Sequence, residues 1–252
     1  MFLLIFIFNL LKEESYIAFL DIGQGSSVLI NNPKLQVLYD VGPYGYKTLN
    51  ELKKLMPFYD KTIEVIIISH PDKDHYGGIF DILKRYKIGI ILISPVKSEE
   101  SGYLTFIEKV KESKIPLLTL DEEDLIETNY EKIYVLNPAP KLFKTENQNS
   151  LVLKVFKNNK SFLLTGDIDK KVEEYLFNKY KEFLKSDFIL IPHHGSKYSS
   201  SENFLRLFAN SFAIIQVGKN KYGHPHKEVV NILNKLNIKY WRTDLQGTLI
   251  IK

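Results

Sequence analysis

Six histidines dominate the chemistry available to this 252-residue chain, and they fall into three clusters. His70 and His75 lie within Ser-His-Pro-Asp-Lys-Asp-His-Tyr-Gly-Gly, His193 and His194 within Ile-Pro-His-His-Gly-Ser, and His224 with His226 within Tyr-Gly-His-Pro-His. Cysteine is absent, which excludes disulfides, thiolate-bound zinc and a thiol nucleophile. Any metal must therefore be held by His, Asp and Glu.

The densest cluster is His70-x-Asp72-x-Asp74-His75, directly after an apolar run at 64–69. Alternate side chains of extended backbone share a face, which predicts that His70, Asp72 and Asp74 converge on one point while His75 serves a second ion. Pro71 stiffens the loop, and Gly77-Gly78 permits a tight turn into the following helix. A solvated charged loop gives no reason for two imidazoles and two carboxylates beside two glycines. Asp167 ends the apolar run Phe-Leu-Leu-Thr-Gly-Asp, where a carboxylate can bridge two ions, one oxygen to each; Asp169 is available for helix capping instead. His193-His194-Gly195-Ser196 follows the run at 187–191 in the same way, and α/β folds place ligands in loops at strand ends.

The elements that must position these residues alternate along the chain. Strand-like runs lie at 16–21, 27–30, 35–40, 64–69, 88–93, 133–136, 150–156, 161–165, 188–191, 212–217 and 248–251. Helix-like spacing appears at 79–86, 103–112, 172–184 and 227–237. Thr48-x-x-Glu51 reads as a capping box opening a short helix through Met56, Ser199-x-x-Glu202 as the cap of another, and Asn158-Asn159 as a hairpin turn. This order predicts two sheets covered by helices, an α/β sandwich in four layers, as one domain over 15–252. The 44% hydrophobic and 25% charged composition fits such a globular domain.

Residues 1–14 form a separate apolar segment. It is too short for a membrane-spanning helix, which needs about 20 residues, and it lacks the positive n-region of a signal peptide. An interfacial anchor, the remnant of a membrane segment and an edge strand all fit it; weak membrane association through 1–11 and a cytoplasmic or membrane-peripheral location are the expectations. Residues 151–252 hold 17 Lys and Arg against 9 Asp and Glu, whereas 1–150 hold 17 against 21. A basic half favours an anionic partner such as nucleic acid, and it equally fits a lysine-rich solvated surface.

The chain resembles the metallo-β-lactamase-like domain at the C-terminus of ComEC-type DNA-uptake competence proteins. The matching stretches are FLDIGQGSSVLI (19–30), YDVG (39–42), SHPDKDHYGG (69–78), NQNSLVLKV (147–155), LLTGD (163–167), IPHHGS (191–196), VGKNKYGHP (217–225) and RTDLQGTLII (242–251). They run in family order over nearly all of the chain from residue 16. The resemblance implies an αββα sandwich with two divalent ions, Zn2+ or Mn2+, at one edge. His70, Asp72, Asp74 and His75 match the family's metal-binding loop, with Asp72 standing where many relatives have a histidine. Asp167 matches the bridging aspartate, and His193 or His194 the late histidine ligand. Asn149 lies near where the wider superfamily supplies another histidine. Oxygen-rich ligands bring manganese into consideration beside zinc. Ser26 occupies a position that is acidic in the family, and Asp40-Val41-Gly42 replaces Asp-Gly-Gly. The first change predicts weaker support behind the ligands. These 252 residues do not include the channel that precedes this domain in competence proteins, so the fold is expected to transfer further than a role in DNA uptake.

The expected function is a metal-dependent phosphodiesterase, a nuclease acting on DNA through water activated by two metals. His70, Asp72, Asp74, His75, Asp167 and His193 are the expected ligands, with Asp74 or Asp72 alternatively orienting the water. His194 and His224 are candidates for leaving-group protonation or phosphate contact. Asn149, Ser196, Lys197, Tyr198, Ser199, Lys219 and Lys221 are candidates for binding substrate, and Tyr222 for stacking on a base; most of these also fit a solvated loop. Hydrolysis of a small ester, thioester or lactam is the alternative on the same fold, and a metal-stabilised binding module the third.

Overall fold

The computed structural model describes residues 14–139 and 143–252. Apart from Glu14, the apolar segment over 1–14 lies outside the described residues. One sheet takes β1 (Tyr16–Phe19), β2 (Val28–Asn32), β3 (Leu35–Tyr39), β4 (Thr62–Ile68), β5 (Lys87–Ile93), β6 (Leu117–Thr119) and β14 (Leu249–Ile251), in the order β14-β1-β2-β3-β4-β5-β6. The other takes β7 (Leu125–Glu127), β8 (Glu131–Asn137), β9 (Val152–Lys157), β10 (Lys160–Leu164), β11 (Phe188–Leu190), β12 (Phe212–Ile215) and β13 (Lys239–Arg242), in the order β13-β12-β11-β10-β9-β8-β7. Each sheet is antiparallel on one side and parallel on the other, changing at β3 and at β10.

Period-two burial explains the layering. Ile17 and Phe19 of β1 point between the sheets, whereas Tyr16 and Ala18 point to the helices outside. The central layer closes Phe19, Val37, Tyr39 and Ile67 onto Val135, Leu153, Phe162 and Leu164 of the facing sheet. Outside the first sheet, Leu52, Ile79, Ile82, Phe106 and Val110 come from helices Gly45–Leu55, Ile79–Arg85 and Ser101–Glu112. Outside the second, Val172, Leu176, Val229 and Leu233 come from helices Lys170–Tyr180 and Lys227–Lys235. Three apolar layers between four structural layers make the αββα sandwich that the element order implied.

Several local expectations change. Helix Gly45–Leu55 begins before Thr48, whose hydroxyl donates to Val41 O instead of capping. Ser201, not Ser199, caps Glu202–Leu205, accepting from Phe204 N. Asp169 caps Lys170–Tyr180 and leaves Asp167 free for other work. The hairpin turn is as expected, with Asn158 and Asn159 both at positive φ. Strands β6, β7 and β13 went unread because they are short and lie at or near sheet edges, where burial writes little alternation into them. No helix of the described residues is long and apolar enough to cross a membrane.

The central layer should dominate stability. Phe19→Ala removes a fully buried ring and is expected to cost about 3–5 kcal/mol, read as a lower urea midpoint by circular dichroism. Phe58→Ala at an 85% exposed position should stay within about 0.5 kcal/mol of the parent. Equal midpoints for the two variants would contradict this placement of the core.

Candidate metal centre

The C-terminal ends of β3, β4, β10, β11 and β12 open onto one edge of the sandwich. They deliver Asp40, Ser69-His70, Asp167, His193-His194 and Gln216 respectively. Asp167 sits in the middle with its side chain 4% exposed. His75 Nε2 lies 3.3 Å from its Oδ1, while His193, His194 and His70 Nε2 lie 3.5, 3.8 and 3.9 Å from its Oδ2.

Chain curvature sorts the remaining donors. After Asp72 the backbone curls into a helical turn, Lys73–Tyr76, so alternation stops and Asp74 does not join His70 and Asp72. His70 Nε2 faces Asp72 Oδ2 at 3.4 Å, whereas Asp74 Oδ2 faces His194 Nε2 at 3.3 Å. Asp74, His75, Asp167 and His194 offer ligand atoms all within 4.8 Å of one another. The expected grouping of His70, Asp72 and Asp74 is thus corrected, and His194 stands among the potential ligands rather than beside them. Gly77 and Gly78 do not make a left-handed turn; a Cβ on Gly78 would collide with Val41 O, so close backbone approach is what requires the glycine.

Hydrogen bonds aim the imidazoles. Asp40, buried at the end of β3, accepts from Ser69 N at 2.7 Å, Ser69 Oγ at 2.9 Å and His75 Nδ1 at 2.7 Å. The Ser69 hydroxyl, its proton committed to Asp40, accepts from His70 Nδ1 at 3.0 Å. His194 Nδ1 donates to Gln216 O at 2.8 Å. These bonds place the Nδ1 protons and turn Nε2 of His70, His75 and His194 inward, where all three are buried without a hydrogen-bond partner. Three orphaned imidazole nitrogens around a buried carboxylate fit a divalent cation, as does the carboxylate behind His75.

Electrostatics point the same way. Burial would raise the Asp167 carboxyl, but His75, His194 and His193 outweigh it and hold it well below the usual range. Burial likewise opposes the charge on Asp74, and His75 and His194 hold it low. Burial would lower His75 and His194, yet Asp167 with Asp40 and Asp74 raises the first well above its ordinary value, and Asp167 with Asp74 raises the second. The centre therefore attracts positive charge, and protons compete for the place of a cation. His224 differs: burial, with His193 and His194 beside it, pushes it down to about 4. That leaves it neutral near pH 7 and argues against an imidazolium acid. Its ring stands 5.5 Å from that of His193, and it is not among the residues whose ligand atoms converge within 4.8 Å.

Three candidate substrate contacts are buried structural groups instead. Asn149 is fully buried; its Oδ1 accepts from Phe143 N and its Nδ2 donates to Phe143 O and Thr145 O, fixing that loop. Ser199 Oγ bonds Pro192 O and Ser196 O, and buried Ser196 Oγ accepts from Tyr198 N. Lys197, Tyr198, Lys219, Lys221 and Tyr222 are exposed. His226 caps the Lys227–Lys235 helix. Ser26, far from leaving a gap, donates through Oγ to Gln216 Oε1 and through N to Asp74 O. Sequence reasoning gave no role to Asp40, Ser69 and Gln216; an Asp ending a strand two residues before a glycine was the available signal for the first, and a backbone carbonyl acceptor such as Gln216 leaves none.

Residues 20–219 match the metallo-beta-lactamase superfamily. The chain is 32% identical over 265 aligned positions to ComE operon protein 3 of Bacillus subtilis, covering 98% of this chain and 34% of that protein. It is 30% identical over 239 to the competence protein ComA of Neisseria gonorrhoeae, covering 94% and 32%. The chain thus spans about a third of the length of these relatives. In fold it is similar to the metallo-beta-lactamase fold protein YhfI from Bacillus subtilis, with a TM-score of 0.63 at 10% identity over 94% of this chain and all of that one. It is also similar to zinc-bound PqqB from Methylobacterium extorquens, with a TM-score of 0.57 at 10% identity over 90% and 87%.

If Asp40 acts by aiming His75, Asp40→Asn should lower divalent-metal affinity about 10–100-fold while the far-ultraviolet circular dichroism is unchanged. Calorimetric titration with Zn2+ or Mn2+ measures this, and parent-like affinity would leave Asp40 with a folding role alone.

Proposed function

This chain belongs to the metallo-beta-lactamase superfamily, and on that premise we propose that it is a metal-dependent phosphodiesterase, a nuclease acting on DNA. The observation that carries the substrate is a groove of about 680 Å³ opening beside Asp74. Tyr44, Lys47 and Lys73 line it from the first half of the chain, and Lys219, Lys221 and Tyr222 from the second. Asp74 is the one carboxylate lining it among the described residues. Four ammonium groups beside a hydrolytic centre suit a chain of phosphates, and Tyr44 and Tyr222, 54% and 63% exposed, offer faces for bases. Asn220 stiffens the second wall: its Oδ1 accepts from Tyr222 N and His224 N, and its Nδ2 donates to Gly218 O and His224 O.

His70, Asp72, His193, Asp74, His75, His194 and Asp167 would hold two divalent ions. When bound, these supply Lewis-acid charge that lowers the pKa of a water and neutralises charge building on a phosphate. Asp167 would lie between the two ions, its Oδ1 facing His75 and its Oδ2 facing His70, His193 and His194. His224, whose ring lies 5.5 Å from that of His193, would exchange a hydrogen bond with a substrate oxygen. Imidazole and carboxylate donors in this proportion accept manganese as well as zinc. A carbonyl substrate, the alternative on this fold, gives four lysines no task.

Metal-loaded protein is expected to cut DNA, with Asp167→Asn falling to background because asparagine keeps the shape but not the anionic bridge. His224→Ala should lower turnover by about 10²-fold, as loss of one hydrogen bond to a reacting oxygen does, and leave metal content intact; loss of an ion would make His224 a ligand. Binding of DNA to Asp167→Asn protein should weaken several-fold from low to physiological salt, and Lys47→Ala should reduce that salt slope by about 1. Hydrolysis of thioester or lactam substrates with neither single- nor double-stranded DNA cut would overturn the nuclease reading.

A further inference from the structure

We propose that the edge of the sandwich opposite the metal centre docks on an anionic lipid bilayer, with the turn at Pro57–Asp60 as its apolar point. The proposal is independent of what the metal centre hydrolyses.

The turn itself is built to present two rings. Between helix Gly45–Leu55 and β4 the chain folds back at Pro57, where Asp60 N donates to Pro57 O at 3.0 Å. Asp60 Oδ1 in turn accepts from Thr62 N at 3.1 Å and braces the entry to β4. Phe58 and Tyr59 stand at the tip, 85% and 57% exposed, with ring centroids 5.4 Å apart. A solitary exposed apolar side chain needs no explanation, but two neighbouring rings carried outward on a braced turn add nothing to the core. Aromatic rings of this kind suit a membrane–water interface, where the ring is sheltered and a phenol stays at headgroup level.

Charge surrounds the rings. β3, β4 and β5 run parallel with their C-terminal ends toward the metal centre, so the turns before them share the far edge. Lys34 precedes β3, Lys61 precedes β4, Arg85 and Lys87 lead into β5, and Lys53 lies in the last turn of helix Gly45–Leu55. All are exposed. The carboxylates nearby are engaged: Glu51 with Lys54, Asp81 with Lys84, Asp60 with Thr62 N and Glu64 with Gln36 N. Lys34, Lys53, Lys61, Arg85 and Lys87 form no ion pair among the described residues. Their charge complements anionic headgroups.

The chain enters at the same place. Tyr16, the first residue of β1, donates through its hydroxyl to Leu55 O at 2.7 Å, just before the turn. Residues 1–11, which precede this point, hold a single polar side chain, Asn9. One weak signal gives marginal membrane affinity, and stable attachment takes two. An apolar sequence, an exposed aromatic pair and unpaired cations meet here. Nucleic acid would use the cations but gives the apolar sequence no task. Orientation follows from strand length: β4 runs over the seven residues Thr62–Ile68, about 20 Å of parallel strand. A chain docked by Phe58 and Tyr59 holds His70 and the lysine groove about that far from the bilayer, facing water.

Flotation of the full chain with phosphatidylcholine vesicles, with and without phosphatidylglycerol, tests the proposal. Binding is expected to the anionic vesicles and to weaken as salt rises. Phe58→Ala combined with Tyr59→Ala should weaken it at least about 10-fold, and Lys53→Ala or Lys61→Ala about 5-fold each, with unchanged far-ultraviolet circular dichroism. Against the background of Trp241, the emission added by Phe58→Trp should be quenched by brominated lipid, and that added by Tyr222→Trp, at the opposite edge, should not. No binding to anionic vesicles would overturn the proposal. So would undiminished binding of the aromatic and lysine variants, which would assign attachment to residues 1–11 alone, and equal quenching at both positions. Loss of DNA affinity in the Lys53 and Lys61 variants with vesicle binding unchanged would overturn it in favour of a nucleic-acid surface.

Discussion

A carboxylate buried among four imidazoles constrains the rest of this edge of the molecule. Asp167 is nearly inaccessible to water, and an unpaired ion there is costly. Its neighbours hold it ionised, so positive charge must stay within reach, as protons on His75 and His194 or as a cation. The backbone is shaped to that requirement. Gly166 takes a positive φ just before the aspartate, Ser150 Oγ accepts from Asp167 N at 3.1 Å, and Gly166 O accepts from His193 N. Both sheets contribute, which makes the centre a product of the sandwich rather than of either half.

Local strain is concentrated at the same place. His193 and His194 both adopt left-handed conformations, and Gly195 continues at φ 80. For non-glycine residues this costs of order 1–3 kcal/mol each, and surrounding bonds hold it: His193 N to Gly166 O, Ser196 N to His193 O and His226 N to Gly195 O. A Cβ at Gly195 would approach Pro225 Cβ to 2.7 Å, so only glycine lets the His224 loop close over this turn. The strain has a use. Adjacent residues of an ordinary strand would present rings to opposite faces, whereas here consecutive rings both reach Asp167 Oδ2, at 3.5 and 3.8 Å.

The layers, and the residues that gather at this edge, were legible in the sequence because each has a local signature. Buried strands show as apolar runs and covering helices as 3.6-residue spacing, and the histidine clusters sit at strand ends. Grouping was less legible. Assigning Asp74 beside His70 assumed extended backbone through 74, and one helical turn at Lys73–Tyr76 was enough to reverse it. The roles of Asn149, Ser196 and Ser199 were misread for a related reason: polar residues near a site suggest contact with a ligand, but burial turns their groups to neighbouring backbone. The role of Asp40 has no local signature, because its partner His75 is 35 residues away and pairing at that range is set by the β3–β4 register.

Charge shows the same difference between composition and placement. The basic excess lies in residues 151–252, and by composition alone an anionic partner would be assigned to that half. The groove beside Asp74 instead takes Lys47 and Lys73 from the acidic half and Lys219 and Lys221 from the basic one. Several cations of the basic half are committed elsewhere: Lys154 is buried against Ser186 and the Lys185 carbonyl, Lys157 is buried with Glu131 and Asn32, and Lys179 pairs with Glu122. Net charge counts such residues equally, but only ammonium groups facing a shared volume raise the local concentration of an anion. A phosphate chain lying in this groove would pass from lysines on the Gly45–Leu55 helix, the Lys73–Tyr76 turn and the loop after β12 to the Asp74 side of the centre. Substrate binding would then depend, as Asp167 does, on both halves of the sandwich staying in register.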